Sequence, residues 1–211
     1  INLVIDIIEN NEIGNLLSMK SQFGINLLSK KKFWFFNKKK KSKINSRLFN
    51  KGLGGGCILD LGCYPSSFSL LIGSLKSKKN KQELKISNIV REMGETNVDI
   101  DSSAKISFDE NFFSEINASF KKDLGRKTEI NGDKGTIIIN DSWFGSKSIV
   151  KKNGNENQII NIKNNNNNIY SYQIQNISKT ILDNSFQPKY PGMSLNESLI
   201  NMGIIEEWLS A

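Results

Sequence analysis

The feature of this sequence that most constrains its fold is a succession of short strand-like segments between residues 84 and 163. Turn-forming sequences rich in Asn, Asp and Gly, such as 109–111 and 132–135, separate these segments. Within residues 113–120, alternate positions differ in polarity, which is typical of a strand with one buried and one wetter face. The predicted strands are 84–92, 104–108, 113–120, 127–131 and 136–140, followed by a hairpin over 148–163 that turns at 153–155.

Apolar residues at helical spacing predict helices on either side of this region. Residues 3–8 are expected to end a first helix, and residues 16–25 to form a strand. Together the elements predict one α+β domain over 1–211, with an open, mainly antiparallel β-sheet and helices packed on one face. One predicted helix ends near Gly73, and its core-facing residues are expected to be Ile58, Leu61, Phe68, Leu71 and Ile72. A second helix is predicted over 170–182. A last helix begins at a Ser194–Glu197 capping box, and its core-facing residues are expected to be Leu199, Met202, Ile205 and Leu209.

Two stretches without a clear period are interpreted as loops. Residues 26–53 form a long loop, which includes a run of lysines and aromatic residues at 30–41. A loop of this length in a compact domain is usually a binding loop, an interface arm or a disordered excursion, and the sequence leaves these three open. The Asn-rich run at 164–168 is interpreted as a tolerated loop insertion.

Composition excludes several classes of site. The chain contains no histidine, which excludes His-based zinc sites and Ser-His-Asp triads. Its two cysteines, Cys57 and Cys63, are spaced neither as a metal-binding pair nor for an internal disulfide, so we expect a reducing compartment and a cytoplasmic protein. No run approaches the roughly 18 apolar residues that span a bilayer, so no membrane partner is expected.

The formal charge of +8 raises the question of nucleic acid. Arginine occurs only at Arg47, Arg91 and Arg126, whereas nucleic-acid surfaces are usually enriched in arginine. One hypothesis is that the aromatic residues at 33–36 stack on bases between the lysines of 30–41. The plainer interpretation, which we prefer, is that these aromatics anchor a loop while the lysines stay solvated.

The segment with the most chemical content begins with three consecutive glycines at 54–56, just before a predicted helix. Glycines allow close approach to the backbone, and the first N–H groups of a helix are open to a ligand. Asp60 and Tyr64 are four residues apart and share a face, so the phenol could exchange a proton with a substrate hydroxyl. Pro65 predicts a kink or a break near Gly62. From spacing alone, the plainer interpretation, which we prefer at this point, is a dipole-complementing Asp and a packing Tyr.

The stretch from Gly54 to Pro65 resembles the G-G-G-x-x-x-D-x-G-x-Y-P motif of the Gfo/Idh/MocA oxidoreductase family. The similarity is to the branch typified by glucose–fructose oxidoreductase and dihydrodiol dehydrogenases. Weaker similarities follow in the family's order along nearly the whole chain, at 7–24, 129–137, Trp143, 193–202 and Trp208.

This resemblance implies a role for three residues. Tyr64 matches the catalytic tyrosine of the branch, Asp60 the aspartate that lines the substrate site, and Arg47 a basic residue near it. In the family, an N-terminal Rossmann domain holds NAD or NADP and supplies a catalytic lysine. The glycines at 54–56 follow a long loop rather than a strand, so they do not meet the context of a dinucleotide fingerprint. We therefore expect a C-terminal domain that lacks the cofactor domain and is inactive alone.

Three functional hypotheses follow. The first is the substrate-binding domain of an NAD(P)-dependent oxidoreductase acting on a CH–OH group of a sugar, polyol or related alcohol, with a small-molecule substrate. Family resemblance also implies a homo-oligomer formed through the open face of the sheet. The second hypothesis is a non-enzymatic interaction or dimerisation module derived from that family. The third is the nucleic-acid binding through 30–41 described above.

Overall fold

The computed structural model describes residues 1–28, 46–76, 84–108, 111–163 and 168–211. The lysine and aromatic run at 30–41 lies outside the described residues, as does most of the Asn-rich loop at 164–168. Within the described part, the long loop predicted at 26–53 ends in two short 3-10 turns, Arg47–Phe49 and Lys51–Leu53.

The described residues form four α-helices and eight strands, most of them where the sequence predicts them. The main difference in bounds is the third strand, which begins five residues before its prediction because four of the residues 99–103 are polar and hide its first half from the apolar pattern. The helices are α1 Asn2–Glu9, α2 Cys63–Lys76, α3 Tyr170–Leu182 and α4 Leu195–Ser210; the strands are β1 Leu16–Gly24, β2 Lys85–Met93, β3 Asp99–Ser107, β4 Phe113–Ser119, β5 Thr128–Gly132, β6 Thr136–Ile139, β7 Ser148–Asn153 and β8 Glu156–Asn161.

The strands of the described chain form one open eight-stranded sheet in the order β2-β3-β4-β1-β5-β6-β7-β8. Neighbouring strands are antiparallel except β1 and β4, which run parallel with Ser18 opposite Phe113. The long crossover between β1 and β4 carries helix α2, as a parallel pair requires. The open, mainly antiparallel sheet of the sequence prediction is confirmed.

One face of the sheet packs against helices. Helix α2 lies over β1 and β4, and both α1 and α4 pack against α2. The alternation predicted in 113–120 is confirmed, since Ser114, Ile116 and Ala118 are buried under the helices while Glu115 is exposed. Helix α3 differs from the other three because none of its residues is buried.

The other face of the sheet carries a row of alternating charges. Lys105 lies opposite Glu115, Glu115 opposite Lys20, and Lys20 opposite Glu129, across four adjacent strands. All four side chains are exposed or half-buried. Opposite charges in register stabilise neighbouring strands, so this ladder is a polar surface built into the open face.

The helix that contains the glycine motif is continuous rather than broken. Residues Ile58–Gly62 form a π-helical turn that runs directly into α2. The kink or break predicted near Gly62 is not a break, because the helix continues, and a widened turn ends at that residue. Such π-helical turns, and prolines such as Pro65, are both places where helices bend. The helix also extends past the predicted end at Gly73 to Lys76.

Among the described residues, one helical stretch, Lys51–Lys76, is long and apolar enough by composition to cross a membrane. The sequence expectation, which counted uninterrupted apolar runs, did not find it. Half of its most apolar window is buried inside the protein. Such burial is what the central helix of a protein core shows, because its apolar surface faces the sheet.

The predicted core stripe of α4 is only partly correct. The structure buries Asn201, Ile204, Ile205 and Trp208, whereas Leu199 and Met202 face solvent. Trp208 is fully buried, and its indole Nε1 donates to Ser102 Oγ over 2.8 Å. The tryptophan sets the inward face of the helix, since it is the largest side chain and its N–H has a partner in β3. The capping box at Ser194 and Glu197 is confirmed.

Candidate functional site

The glycines at 54–56 pack against protein backbone and side chains. Gly56 has φ 119°, and a Cβ there would meet Asp99 Oδ1 at 2.4 Å. A Cβ at Gly55 would meet the backbone of Arg47 and Asn50 at 2.8 Å. Two of the three glycines are thus required by close packing of the chain on itself.

The first N–H groups of the helix are also used within the protein. Asp99, in β3, is buried and accepts a hydrogen bond from the backbone N–H of Ile58 over 2.7 Å. A carboxylate at a helix N-terminus satisfies a free donor and complements the helix dipole. This residue was missed at the sequence level, because a lone aspartate within a polar strand segment carries no signal of a helix cap 41 residues away.

The structure brings Arg47 and Asp60 into direct contact. Arg47 donates from its guanidinium to Asp60 Oδ1 over 2.5 Å. The Asp60 side chain is about one-fifth exposed and that of Arg47 more than half. The two residues that the resemblance assigns to substrate binding therefore form one charged pair at the mouth of the helix, open to solvent on the arginine side.

Tyr64 stands beside this pair, on the first turn of α2, with 45% of its surface exposed. Its ring packs edge-on against Phe23 at 5.3 Å between centroids and against Trp143 at 5.8 Å. Trp143 is held in turn by a hydrogen bond from its Nε1 to the carbonyl of Gln22, 3.1 Å long. The phenol is thus supported on one side by aromatic rings and faces solvent on the other.

The environment of Tyr64 favours the neutral phenol. Partial burial raises the pKa of Tyr64 above its usual value, and the neighbouring Cys63, Tyr170 and Asp60 raise it further, in that order. Each of these neighbours is neutral or negative, so a phenolate would be repelled rather than stabilised. At neutral pH the group is a proton donor. It becomes an acceptor only when a base or a cation approaches from outside the described chain.

The aromatic cluster around Tyr64 extends to an exposed ring that the sequence analysis did not single out. Phe144 packs edge-on against Phe23 at 6.0 Å and is 47% exposed. The guanidinium of Arg126 stacks over Phe144 at 4.6 Å and pairs with Asp141 at 3.1 Å. Phe144 follows Trp143 in the sequence, Asp141 lies just before it, and Arg126 precedes β5. The sequence feature that could have pointed to them is the family similarity at Trp143, which is weak alone. The cluster gives the site an apolar wall beside its charged pair.

The residues described hold neither a dinucleotide nor a metal. The glycine-rich turn follows 3-10 turns instead of a strand, and its helix N-terminus is occupied by Asp99, so it does not fit a pyrophosphate. Within the described ranges, no three Cys, Asp or Glu side chains are grouped to hold a metal ion. What remains is a phenol, a carboxylate–guanidinium pair and an aromatic wall, which can bind a polar molecule and exchange a proton with it.

The described residues form an open sheet backed by helices, with Tyr64 and Asp60 at the N-terminal end of the helix that lies over β1 and β4. The model of the GFO/IDH/MocA C-terminal domain matches residues 1–138, and the chain belongs to that family. No curated protein matches the chain by sequence.

Solved structures share the fold. The aldose–aldose oxidoreductase of Caulobacter crescentus, complexed with glycerol, superposes with a TM-score of 0.74 at 15% identity, over 98% of this chain and 56% of that one. The 3-ketoreductase KijD10 of Actinomadura kijaniata, with NADP and TDP-benzene, gives 0.76 at 15% identity, over 97% and 56%. The chain thus spans little more than half the length of these enzymes.

Proposed function

We propose that this chain is the single C-terminal, substrate-side domain of an NAD(P)-dependent oxidoreductase acting on a CH–OH group of a sugar, polyol or related alcohol. The observation that carries the proposal is the half-exposed Tyr64 phenol, held on an aromatic wall beside the Arg47–Asp60 pair. The family membership and the bound molecules of the two enzymes above support it. Two unpaired cysteines agree with a cytoplasmic location, which we also propose.

The proposed work of the site is to orient a hydroxyl-bearing carbon and to handle its proton. Asp60, held by Arg47, accepts a hydrogen bond from a substrate hydroxyl. Phe144 and Trp143 contact the apolar side of the substrate and exclude water. Tyr64 donates its proton to a carbonyl oxygen in the direction of reduction, and in the direction of oxidation the phenolate form of Tyr64 takes the proton back from the hydroxyl. The hydride acceptor is held outside the described residues, which have no site for it.

We further propose that the charged face of the sheet joins two copies of the chain. The alternating row of Lys105, Glu115, Lys20 and Glu129 is self-complementary when two such faces meet in antiparallel fashion. An exposed, polar but charge-balanced surface of this kind is compatible with a homodimer, and the family resemblance points the same way.

The test compares this chain with an extended protein, in which the chain is produced together with any nucleotide-binding half encoded upstream of it. NADH and NADPH fluorescence titration and alcohol oxidation are measured for both. We expect binding and turnover in the extended protein only. Tyr64→Phe should lower kcat by about 10²–10⁴-fold, the usual contribution of a positioned acid or base, with cofactor binding unchanged.

The matched control is Tyr172→Phe, which removes the hydroxyl of another exposed tyrosine, on α3. Its turnover should equal that of the unmodified extended protein. If Tyr64→Phe and Tyr172→Phe are equally active, the proposed role of Tyr64 is wrong. If neither cofactor binds, the oxidoreductase proposal is wrong. The non-enzymatic interaction module would then be the better hypothesis, because it requires the sheet but no phenol.

A further inference from the structure

Helix α3 exposes its apolar face to solvent, whereas a surface helix usually exposes its polar face. Its apolar residues Ile174, Ile177 and Ile181 are 65%, 53% and 68% exposed. The half-buried residues of α3 include the polar Asn176 and Thr180, and Asn176 lies against Gly192. A surface helix normally buries its apolar stripe and exposes its polar one. The outward isoleucines therefore require a partner.

These residues form one continuous stripe. Tyr170, Ile174, Ile177 and Ile181 follow the i, i+4, i+7, i+11 spacing of a single helix face, and we call them the α3 stripe. Helix α4 exposes a second apolar row of Leu195, Leu199 and Met202, which are 68%, 64% and 54% exposed. Exposed apolar rows of this kind mark an interaction site in a folded protein.

Both rows adjoin the candidate site. Tyr170, the first residue of the α3 stripe, is close enough to Tyr64 to contribute to its raised pKa. In α4, Asn201 accepts a hydrogen bond from Ser66 over 2.6 Å, two residues from Tyr64 along α2. Helix α4 therefore packs against α2 close to Tyr64, and Asn176 of α3 lies against Gly192, just before α4 begins.

We propose that the α3 stripe, with the outer row of α4, is the docking surface of the nicotinamide-binding half of the enzyme. This inference rests on the proposed function. The enzymes of the same fold are nearly twice as long as the part that this chain matches, and one of them binds NADP. The described residues cannot hold that cofactor, so it belongs to the part of those enzymes that has no counterpart here.

The chemistry of the reaction fixes where that half must dock. The hydride donor has to reach the same carbon whose oxygen exchanges a proton with Tyr64, so the nicotinamide-binding half must cover the exposed side of Tyr64. The surface flanking that side is the apolar rows of α3 and α4. Their burial on docking also excludes water from the site, which is why the stripe is apolar.

The test uses hydrogen–deuterium exchange on this chain alone and on the extended protein, with two matched variants. Ile177→Glu places a charge in the stripe, and Gln175→Glu places the same charge on the opposite, exposed side of α3. We expect backbone amides of 170–182 to exchange at least tenfold more slowly in the extended protein. Ile177→Glu should abolish that protection and lower turnover at least tenfold, with NADPH affinity changed less than twofold, whereas Gln175→Glu should change none of these.

Three outcomes would overturn the inference. In the first, α3 exchanges equally fast in both proteins while the extended protein still oxidises alcohol, so the proposed function stands and the docking surface is elsewhere. In the second, Ile177→Glu behaves as Gln175→Glu does. In the third, this chain alone is a dimer that Ile177→Glu converts to a monomer, so the stripe belongs to a second copy. Circular dichroism should show unchanged helix content in both variants, which separates lost docking from lost folding.

Discussion

Cys57 and Tyr64 lie in the same continuous helical stretch, but their side chains are buried to very different degrees. Cys57 is completely buried and donates its S–H to the carbonyl of Ala118, 3.3 Å away. Burial raises the pKa of the Cys57 thiol far above its usual 9.0, and Asp99 adds to the effect. Tyr64 keeps nearly half of its surface in solvent. The first residue is therefore inert, and the second is available for chemistry.

The raised pKa of Cys57 predicts a loss of stability in alkali. In the unfolded chain the thiol ionises above pH 9.0, whereas in the folded protein it stays protonated. The stabilising difference is thus complete below pH 9 and falls as pH rises through and beyond that value. We expect the free energy of unfolding to fall by about 1.4 kcal/mol per pH unit for this thiol.

Urea unfolding between pH 8 and pH 10.5 measures the slope. Cys57→Ala should be less stable at pH 8, because it leaves a small cavity, yet lose stability with pH less steeply than the natural chain. Parallel slopes in the two proteins would show that the thiol ionises equally in both states. Cys63, whose pKa is also raised by partial burial, accounts for part of the slope that remains.

At the residue scale, the sequence predicted the candidate site in outline only. The four-residue spacing predicted that Asp60 and Tyr64 share a helix face, and Asp60 lies near enough to contribute to the raised pKa of Tyr64. Arg47 came from the family resemblance, and its contact with Asp60 was not foreseen. The support of Tyr64 by Phe23 and Trp143 depends on residues far apart in the chain. No local pattern encodes such a contact.

The elements around Gly62 and Gly203 provide a matched pair of substitutions. A Cβ on Gly62 would come within 2.8 Å of the buried Trp208 ring and 3.6 Å of Ala118, whereas a Cβ on Gly203 meets nothing within 4 Å. We expect Gly62→Ala to destabilise the fold by about 1–3 kcal/mol through overpacking. Gly203→Ala should stabilise α4 by about 0.5–1 kcal/mol, the intrinsic helix preference of alanine over glycine.

Denaturant unfolding of both variants at neutral pH checks this pair. The two variants are expected to change the free energy of unfolding in opposite directions, so a general effect of introducing alanine cannot explain both results. If Gly62→Ala were as stable as the natural chain, the contact between the π-helical turn and Trp208 would have to be looser than the structure shows.

At the element scale, the sequence predicted strands better than helix faces. Strand alternation repeats every two residues and gives an unambiguous buried side, as in 113–120. Apolar residues occur on all sides of α4, so the sequence fits a buried face containing Leu199 and Met202 as well as it fits the observed buried face of Ile204, Ile205 and Trp208. Only the packing of Trp208 against Gly62 decides between them. The π-helical turn has no periodic signal at all, because it is a single widened turn.

The charged row on the open face allows a prediction for the whole molecule. Glu115→Lys would place three positive charges side by side on neighbouring strands, with Lys105 and Lys20 on either side. Like charges in register repel within the sheet and across a two-fold interface, so we expect the dissociation constant of the dimer to increase at least tenfold. Sedimentation equilibrium measures the change.

Glu156→Lys serves as the control for this prediction, because it makes the same charge change at an exposed position in β8, at the far edge of the sheet. It should leave self-association unaltered. Equal dissociation constants for the two variants would place the interface away from the charged row. A chain that is monomeric at all concentrations would refute the proposed dimer.

The position of β1 in the sheet has a consequence for how the protein is made. This strand is synthesised near the start of the described chain, yet both of its neighbours come much later, with Phe113 opposite Ser18 and Ile130 opposite Met19. A nascent chain that has left the ribosome only as far as β3 has no edge on which β1 can pair. Strand β1 therefore stays unpaired until β4 has been synthesised, and pairing between segments so far apart in the sequence slows folding.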